Sequence, residues 1–288
     1  MLRRSSLKVV TEALNKLYPL EHADHTWDNT GLLIDATVED DSKDTSSIAR
    51  VLLAIDLTEA VATEAIENKY NLIVAYHPFL FRKFNKIQPQ VDPQQRSLVR
   101  LLQAGISVYS PHTAVDAAVG GVNEWLAHSI AGGANGIAAG TLNPIIPDKS
   151  GASGVGMGRV FKLSVETSIS ELVKRIKEQL SVTHVRVAAR SDAGDPLTKK
   201  VRTVAVCAGS GGGVFDELKP TEADVLFTGE LSHHEVLAAT QRGQTVLLVG
   251  HTNSERGFVK KMAAALSAEG VAAAVTVSEA DTAPFITV

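Results

Sequence analysis

Short apolar, β-branched runs alternate with longer segments of helical periodicity through most of this chain, and that alternation limits most strongly what it can fold into. A strand, a covering helix and a second strand build parallel pairing, so the expected class is α/β. VLLAID (51–56) reads as a strand, TEAVATEAIENKY as a helix and NLIVAY as the next strand. DPQQRSLVRLLQAG reads as a helix stopped by Gly105, ISVYS as a strand, and VNEWLAHSI as a helix ending at Gly132 and Gly133.

From about 131 to 158 the chain turns rich in Gly, Ala, Pro and Asn, as a connection between lobes would. The expected organisation is a first α/β lobe over 1–132, a connecting segment over 133–158 and a second α/β lobe over 159–288, whose C-terminal part packs back on the first or stays with the second. The second half holds the strands RVFKLSV, HVRVAAR, VRTVAVCA, ADVLFTG and TVLLVG, with a helix opened by a capping pair, Ser168 and Glu171, after the first. The halves match in outline: VLLAID, helix, NLIVAYH against VAVCAG, helix, ADVLFTGELSHH. The fold reading is therefore two related three-layer α/β lobes.

Net charge is −4, which gives no basic footprint for nucleic acid, so direct DNA or RNA binding is disfavoured. The single cysteine, Cys207, sits in the apolar run VRTVAVCAG and fits strand core in a reducing compartment. No run approaches the roughly 18 to 20 apolar residues that span a bilayer, so no membrane association is expected and the expected location is cytoplasmic. The opening MLRRSSLK has the style of a mitochondrial presequence, a minority alternative because an amphipathic helix, LKVVTEALNKLY, begins almost at once.

The histidines mark where chemistry is expected. His77, His112, His233, His234 and His251 all fall just beyond predicted strands, and open α/β sheets bind ligands outside the carboxyl ends of their strands. Pro78 keeps His77 extended, which aims its ring from a stiff backbone. Two histidines carry an acid at the same spacing, His112-Thr-Ala-Val-Asp116 and His251-Thr-Asn-Ser-Glu255, and imidazole with carboxylate suits zinc, iron or manganese. His22, His25, His128 and His184 read as ordinary surface or framework residues. Gly209, Ser210, Gly211 and Gly212 follow a predicted strand and offer backbone N–H groups to an anion, although the run lacks a Walker lysine; a tight turn without ligand is the equal alternative. GVGMGR (154–159) fails the dinucleotide pattern because Arg159 stands in the last glycine's place.

WDNTGLLI (27–34), AYHPFLF (75–81), PHTAVDAAVGGVNEWLA (111–127), CAGSGGG (207–213), DVLFTGELSHHEVLAA (224–239) and GHTNSERG (250–257) together resemble the NGG-interacting-factor-three family. Bacterial members of that family carry the name of homologues of a second type of GTP cyclohydrolase I. The resemblance implies a dinuclear metal site in the cleft between the two lobes, a homohexamer built as a trimer of dimers, and no inserted ferredoxin-like domain. It further implies that His77, Asp116 and Glu255 bind one divalent ion and that His251 with bridging Glu255 binds another. The family's usual HHP is YHP here, so Tyr76 replaces a histidine and the count of ions is one or two. A neutral phenol, with a pKa near about 10, is a poor stand-in for imidazole. His112, His234, Glu230 and Tyr76 are expected beside the ligands or in proton transfer, and Asp28 and Asn29 in the pocket.

Two functions follow. One is a metal-dependent hydrolase acting on a small phosphate-bearing or heterocyclic, nucleotide-like compound. The other is a non-catalytic regulator or scaffold with a structural or sensory metal, which binds a transcriptional co-activator component as the family's name implies; that reading adds a nuclear location.

Overall fold

The computed structural model describes residues 1–39, 48–190, 192, 194–219 and 221–286. The first elements are α1 (Arg4–Leu17), β1 (Gly31–Ile34), β2 (Ala49–Ala54), α2 (Glu59–Glu67), β3 (Leu72–Ala75), α3 (Pro93–Ala104), β4 (Ser107–Ser110), α4 (His112–Ala117) and α5 (Val122–Ala131). A short antiparallel pair, β5 (Ile146–Pro147) and β6 (Gly156–Met157), precedes β7 (Arg159–Ser168), α6 (Ile169–Leu180), β8 (Arg186–Ala188) and β9 (Lys200–Ser210). The chain continues through α7 (Gly212–Phe215), β10 (Val225–Glu230), α8 (His233–Gln241), β11 (Thr245–Leu248), α9 (Arg256–Ala268) and β12 (Ala272–Val277). Among the described residues no helix is long and apolar enough to cross a membrane.

Local chemistry sets the helix ends. Asp92 accepts from the Gln95 N–H with Pro93 in the first turn, and Gly105 at φ 68° closes α3 in the left-handed conformation that lacks a Cβ penalty. Thr58 caps α2 and Ser168 caps α6. Ser232 and Glu235 form a reciprocal capping box at the start of α8.

The structure divides into two units. The first comprises Met1–Val115 and Phe258–Pro284. Its five-stranded sheet has the order β1-β4-β3-β2-β12, parallel except for β1. Every residue of β3 and β4 is buried, as in parallel sheets covered on both faces. Leu52, Ile73 and Val108 of the sheet pack with Val61 and Ala65 of α2 and Leu98 and Leu101 of α3. The parallel pairing of β12 with β2 is what brings the C-terminal Phe258–Pro284 into this unit.

The second unit is built on Asp116–Gly257. Its sheet order is β7-β9-β10-β11-β8, with β9, β10 and β11 parallel and the two outer strands antiparallel. The two sheets share a topology: β1 precedes β2 and pairs antiparallel with β4, just as β8 precedes β9 and pairs antiparallel with β11. In both, three parallel strands linked by helices run in the same spatial order. They differ at the far edge, where β12 lies parallel to β2 but β7 lies antiparallel to β9.

The expected connecting segment, 133–158, is not a free linker: Ile137 bridges Leu163 and Asn143 bridges Val160, so it is sewn onto β7. Both that segment and α5 belong to the second unit, and the division falls after Val115 rather than near residue 132. Two side chains explain this. Asn123 donates to the Asp116 carbonyl at 3.0 Å and accepts from the Ala208 N–H at 2.8 Å, which ties the end of α4 to β9. Arg159, 1% exposed, donates to the carbonyls of Ala117, Ala118, Gly156 and Gly158 and pairs with Glu124 at 3.3 Å.

Burial disfavours the charge on Arg159, while Glu124 and then Asp116 favour it, and the balance leaves its pKa below the ordinary arginine value. A buried cation of this kind is held by satisfying its whole donor fork. Arg159→Leu strands Glu124 and four carbonyls, and is expected to cost about 3 kcal/mol or more. Urea unfolding, followed for wild type and variant, measures it; an unchanged midpoint refutes the role.

Candidate metal centre

In the first unit, the chemistry gathers at the carboxyl ends of β2, β3 and β4. Two backbone bonds tie the chain just past β3 to the end of β2, the Tyr76 N–H on the Ala54 carbonyl at 2.9 Å and the His77 N–H on that of Ile55 at 3.1 Å. His77 therefore emerges at the lip of the sheet, where the sequence places it. Its Nδ1 lies 2.9 Å from Oδ1 of Asp56, the second residue past β2. A carboxylate only accepts, so the shared proton is on Nδ1 and the lone pair of the neutral ring is on Nε2.

His112 repeats the arrangement past β4. Its Nδ1 lies 2.7 Å from Asp28 Oδ1, and Thr113 Oγ1 donates to Asp28 Oδ2 at 2.5 Å. His112 holds φ 28°, uncommon for a residue with a Cβ, and such backbone persists where neighbours over-determine it. Burial works against ionisation of Asp28, but the hydrogen bonds and charge of His112, with Thr113 and the Asn29 N–H, outweigh it and hold its carboxyl below the usual range. Asn29 continues the clamp, its amide donating to the Leu80 carbonyl just beyond His77.

Tyr76 is 2% exposed and stands edge-on to both imidazoles, with ring centroids 5.1 Å from His77 and 5.7 Å from His112. It is a packed aromatic between two histidines. Trp27 meets His112 at 5.7 Å and Phe81 at 6.1 Å, and both Trp27 and Phe81 are about half exposed. A groove of 510 Å³ runs beside His77, lined by Asp56, Thr58, Phe79, Gln94 and Thr282 among others.

In the second unit, His251 follows β11. Its Nδ1 lies 2.8 Å from Glu230 Oε1 at the end of β10, and its Nε2 lies 3.4 Å from Oε1 of Glu255. Glu255 is only 3% exposed. A carboxylate so buried needs cations or donors around it, and His251 and Glu255 both belong to a His/Glu group that could hold a metal ion. Asp116 and Glu255 both act on the same neighbour: burial first, then their two negative charges, push the Cys207 thiol well above its ordinary range. Cys207 is a strand-core residue with no nucleophilic character, as its apolar setting in the sequence implies.

Gly209, near the end of β9, makes room for this centre. A Cβ on Gly209, which holds φ +64°, would stand 2.7 Å from Glu255 Oε1 and 2.9 Å from His251 Nε2. Its N–H donates to Ser254 Oγ at 2.8 Å, and the Gly211 N–H to the Glu230 carbonyl. Two N–H groups expected to face an anion are thus engaged, and α7 beyond them is a single short turn. Ser210 ends β9, exposed, opposite Glu230. A Cβ on Gly212 would strike the Glu235 carboxylate. His234 lines a separate 260 Å³ cavity with Phe215, Leu226 and Arg242, whose walls include neither His251 nor Glu255.

Sequence reasoning missed Asp56. The signal available was VLLAID itself, a strand ending on an acid at the same edge where NLIVAYH ends on a histidine.

Gly209→Ala is expected to cost about 1 to 2 kcal/mol through its left-handed backbone and to displace Glu255 or His251. Thermal unfolding and bound-metal analysis together check this; a variant with native stability and metal content refutes the space-making role. For Asp28, the depressed folded pKa contributes stability above the unfolded value, near about 3.9, and that contribution is lost as pH falls through the folded pKa. Asp28→Asn should therefore unfold more readily than wild type at pH 7, with the gap closing under acid; a gap that widens in acid refutes the assignment.

The family model described as Duf34/NIF3 (NGG1p interacting factor 3) matches residues 5–284. NGG1-interacting factor 3 of Saccharomyces cerevisiae is 42% identical over 260 residues, which is 90% of this chain and 89% of the relative. The NIF3 homolog of Schizosaccharomyces pombe is 46% identical over 98% of this chain and 97% of its own length. Among solved structures, a Bacillus cereus protein related to NIF3 superposes with a TM-score of 0.77 at 21% identity, covering 98% of this chain and 99% of that one. Reduced HcgD from Methanocaldococcus jannaschii gives 0.74 at 21%, over 94% of this chain and 97% of its own. The α/β fold read from the sequence is thus that of solved NIF3 relatives, and the chain belongs to the Duf34/NIF3 family.

Proposed function

We propose that this chain is a metal-dependent hydrolase of small phosphate-bearing or heterocyclic, nucleotide-like compounds, with His77, Asp116, His251 and Glu255 as ligands to one or two divalent ions. The observation that carries the reading is the recurring imidazole geometry: His77 and His251 each have Nδ1 on a carboxylate, which presents Nε2 as the donor a metal requires. The donor set of imidazole and carboxylate, without thiolate, fits zinc, iron or manganese. A cation bound there supplies Lewis-acid activation of water.

The chain's own residues do the rest. His112, oriented by Asp28 through Nδ1, has Nε2 for proton transfer. Trp27 and Phe81, half exposed and edge-to-face, give a planar heterocycle an aromatic surface beside His112. Tyr76, buried between two rings, fills the place of a metal-binding histidine with a packing group, which favours one strong ion site over two.

A second reading has one observation in its favour. The Saccharomyces cerevisiae relative is named for interaction with NGG1, and at 42% identity a co-regulator-binding surface on this chain is a fair alternative use of the same fold. A stable co-regulator complex from a pull-down, with no turnover by metal-loaded protein, would select it.

Metal per chain by elemental analysis and release of phosphate from a panel of nucleotides test the hydrolase reading. Glu255→Gln should lose metal and turnover together, while His112→Ala should keep metal and lose about 100-fold or more in kcat. Turnover in Glu255→Gln equal to that of wild type sinks the proposal. Tyr76→His is expected to raise the metal content toward two.

A further inference from the structure

His77 is held by a relay that starts far away in the sequence. Asp281, 9% exposed and just past β12, accepts from the Ile55 N–H at 2.7 Å and stands 3.5 Å from the Asp56 N–H. Its own N–H donates to Ser278 Oγ, and the Ser278 N–H donates to the Leu53 carbonyl, so the turn that carries Asp281 is pinned to β2. Asp56 in turn holds Nδ1 of His77 at 2.9 Å. The N–H groups of Ile55 and Asp56, the two residues just past β2, point to one carboxylate that lies 225 residues further along the chain from Asp56.

We infer that Asp56 is a positioning residue that locks His77 in the Nδ1–H tautomer, and that Asp281, after the final strand, is the support that holds Asp56 in place. The inference rests on the metal reading for the use to which Nε2 is put, but the tautomer itself is a property of the metal-free protein. Aspartate accepts only, so it admits a single neutral tautomer of His77. Asparagine both donates and accepts, so it admits either. The exchange therefore removes the constraint while it keeps the shape.

A structural alternative is that Asp56 serves only the start of α2, whose cap is Thr58. Thr58→Ala separates the two, since it weakens that helix end without touching the His77 contact.

The experiment uses full-length protein labelled with ¹⁵N-histidine, with His77→Gln to assign the signals. Long-range ¹H–¹⁵N correlation of metal-free protein reads the tautomer, and competition with a chromophoric chelator reads zinc affinity. Wild type and Thr58→Ala should show the Nδ1–H form of His77. Asp56→Asn should show a mixture and bind zinc about 10- to 100-fold more weakly. Asp281→Ala should shift both readouts in the same direction, and the double variant should be less than additive because the two residues act through one contact. An unchanged tautomer in Asp56→Asn, or an equal shift in Thr58→Ala, overturns the proposal. Failure of wild type to bind zinc refutes the metal reading instead, and the tautomer then still decides what Asp56 does.

Discussion

Parallel pairing of β2 with β3 and β4, and of β9 with β10 and β11, fixes where the chain's polar chemistry emerges. A buried parallel strand has no room for charge along its length, so acids and imidazoles collect at its carboxyl end, where the backbone leaves the sheet. Asp56, His77 and His112 follow consecutive parallel strands of one unit; in the other, Glu230 ends β10 and His251 follows its parallel neighbour β11. Because neighbouring strands lie about 4.8 Å apart, residues just past adjacent strands come within hydrogen-bond reach. Asp56 on His77 and Glu230 on His251 are the same cross-strand contact made twice.

Those contacts need rigid surroundings, and each unit supplies them differently. The first leans on carboxylates that take backbone N–H groups, as Asp281 does for Ile55 and Asp28 for Thr113. The second leans on Arg159 and Asn123, which collect the carbonyls at the end of α4 and so fix the segment that carries Asp116. Removing either of these side chains would expose buried acceptors to no donor, a cost paid by the segment as a whole. Gly209 contributes by absence: only a residue without Cβ leaves the space over His251 and Glu255.

Much of this was legible in the sequence. The strands over VLLAID, NLIVAY, ISVYS and TVLLVG form where the periodicity places them, because runs of that length and branching bury poorly in any other way. The matching spacings in HTAVD and HTNSE lie past equivalent strands, β4 and β11. Three things were not legible. Arg159 reads as a failed dinucleotide motif, yet it is a buried guanidinium that anchors four carbonyls. The Gly-rich CAGSGGG reads equally as an anion cradle or a tight turn, and only the structure shows its N–H groups at Gly209 and Gly211 engaged with Ser254 and Glu230. The segment 133–158 reads as a linker because its composition is loose, whereas isolated bridges to β7 hold it.

The sequence alone determined the α/β class, the positions of the histidines at strand ends and the family, since these depend on local periodicity and on motifs contiguous in the chain. Tertiary structure decided which carboxylate serves which imidazole. Asp56 and Asp281 are joined to His77 by hydrogen bonds between residues remote in sequence, and such partners are set by strand order and register, which no local pattern encodes. It also decided where the units divide, because β12 chooses its neighbour by pairing with β2 rather than by its place at the end of the chain.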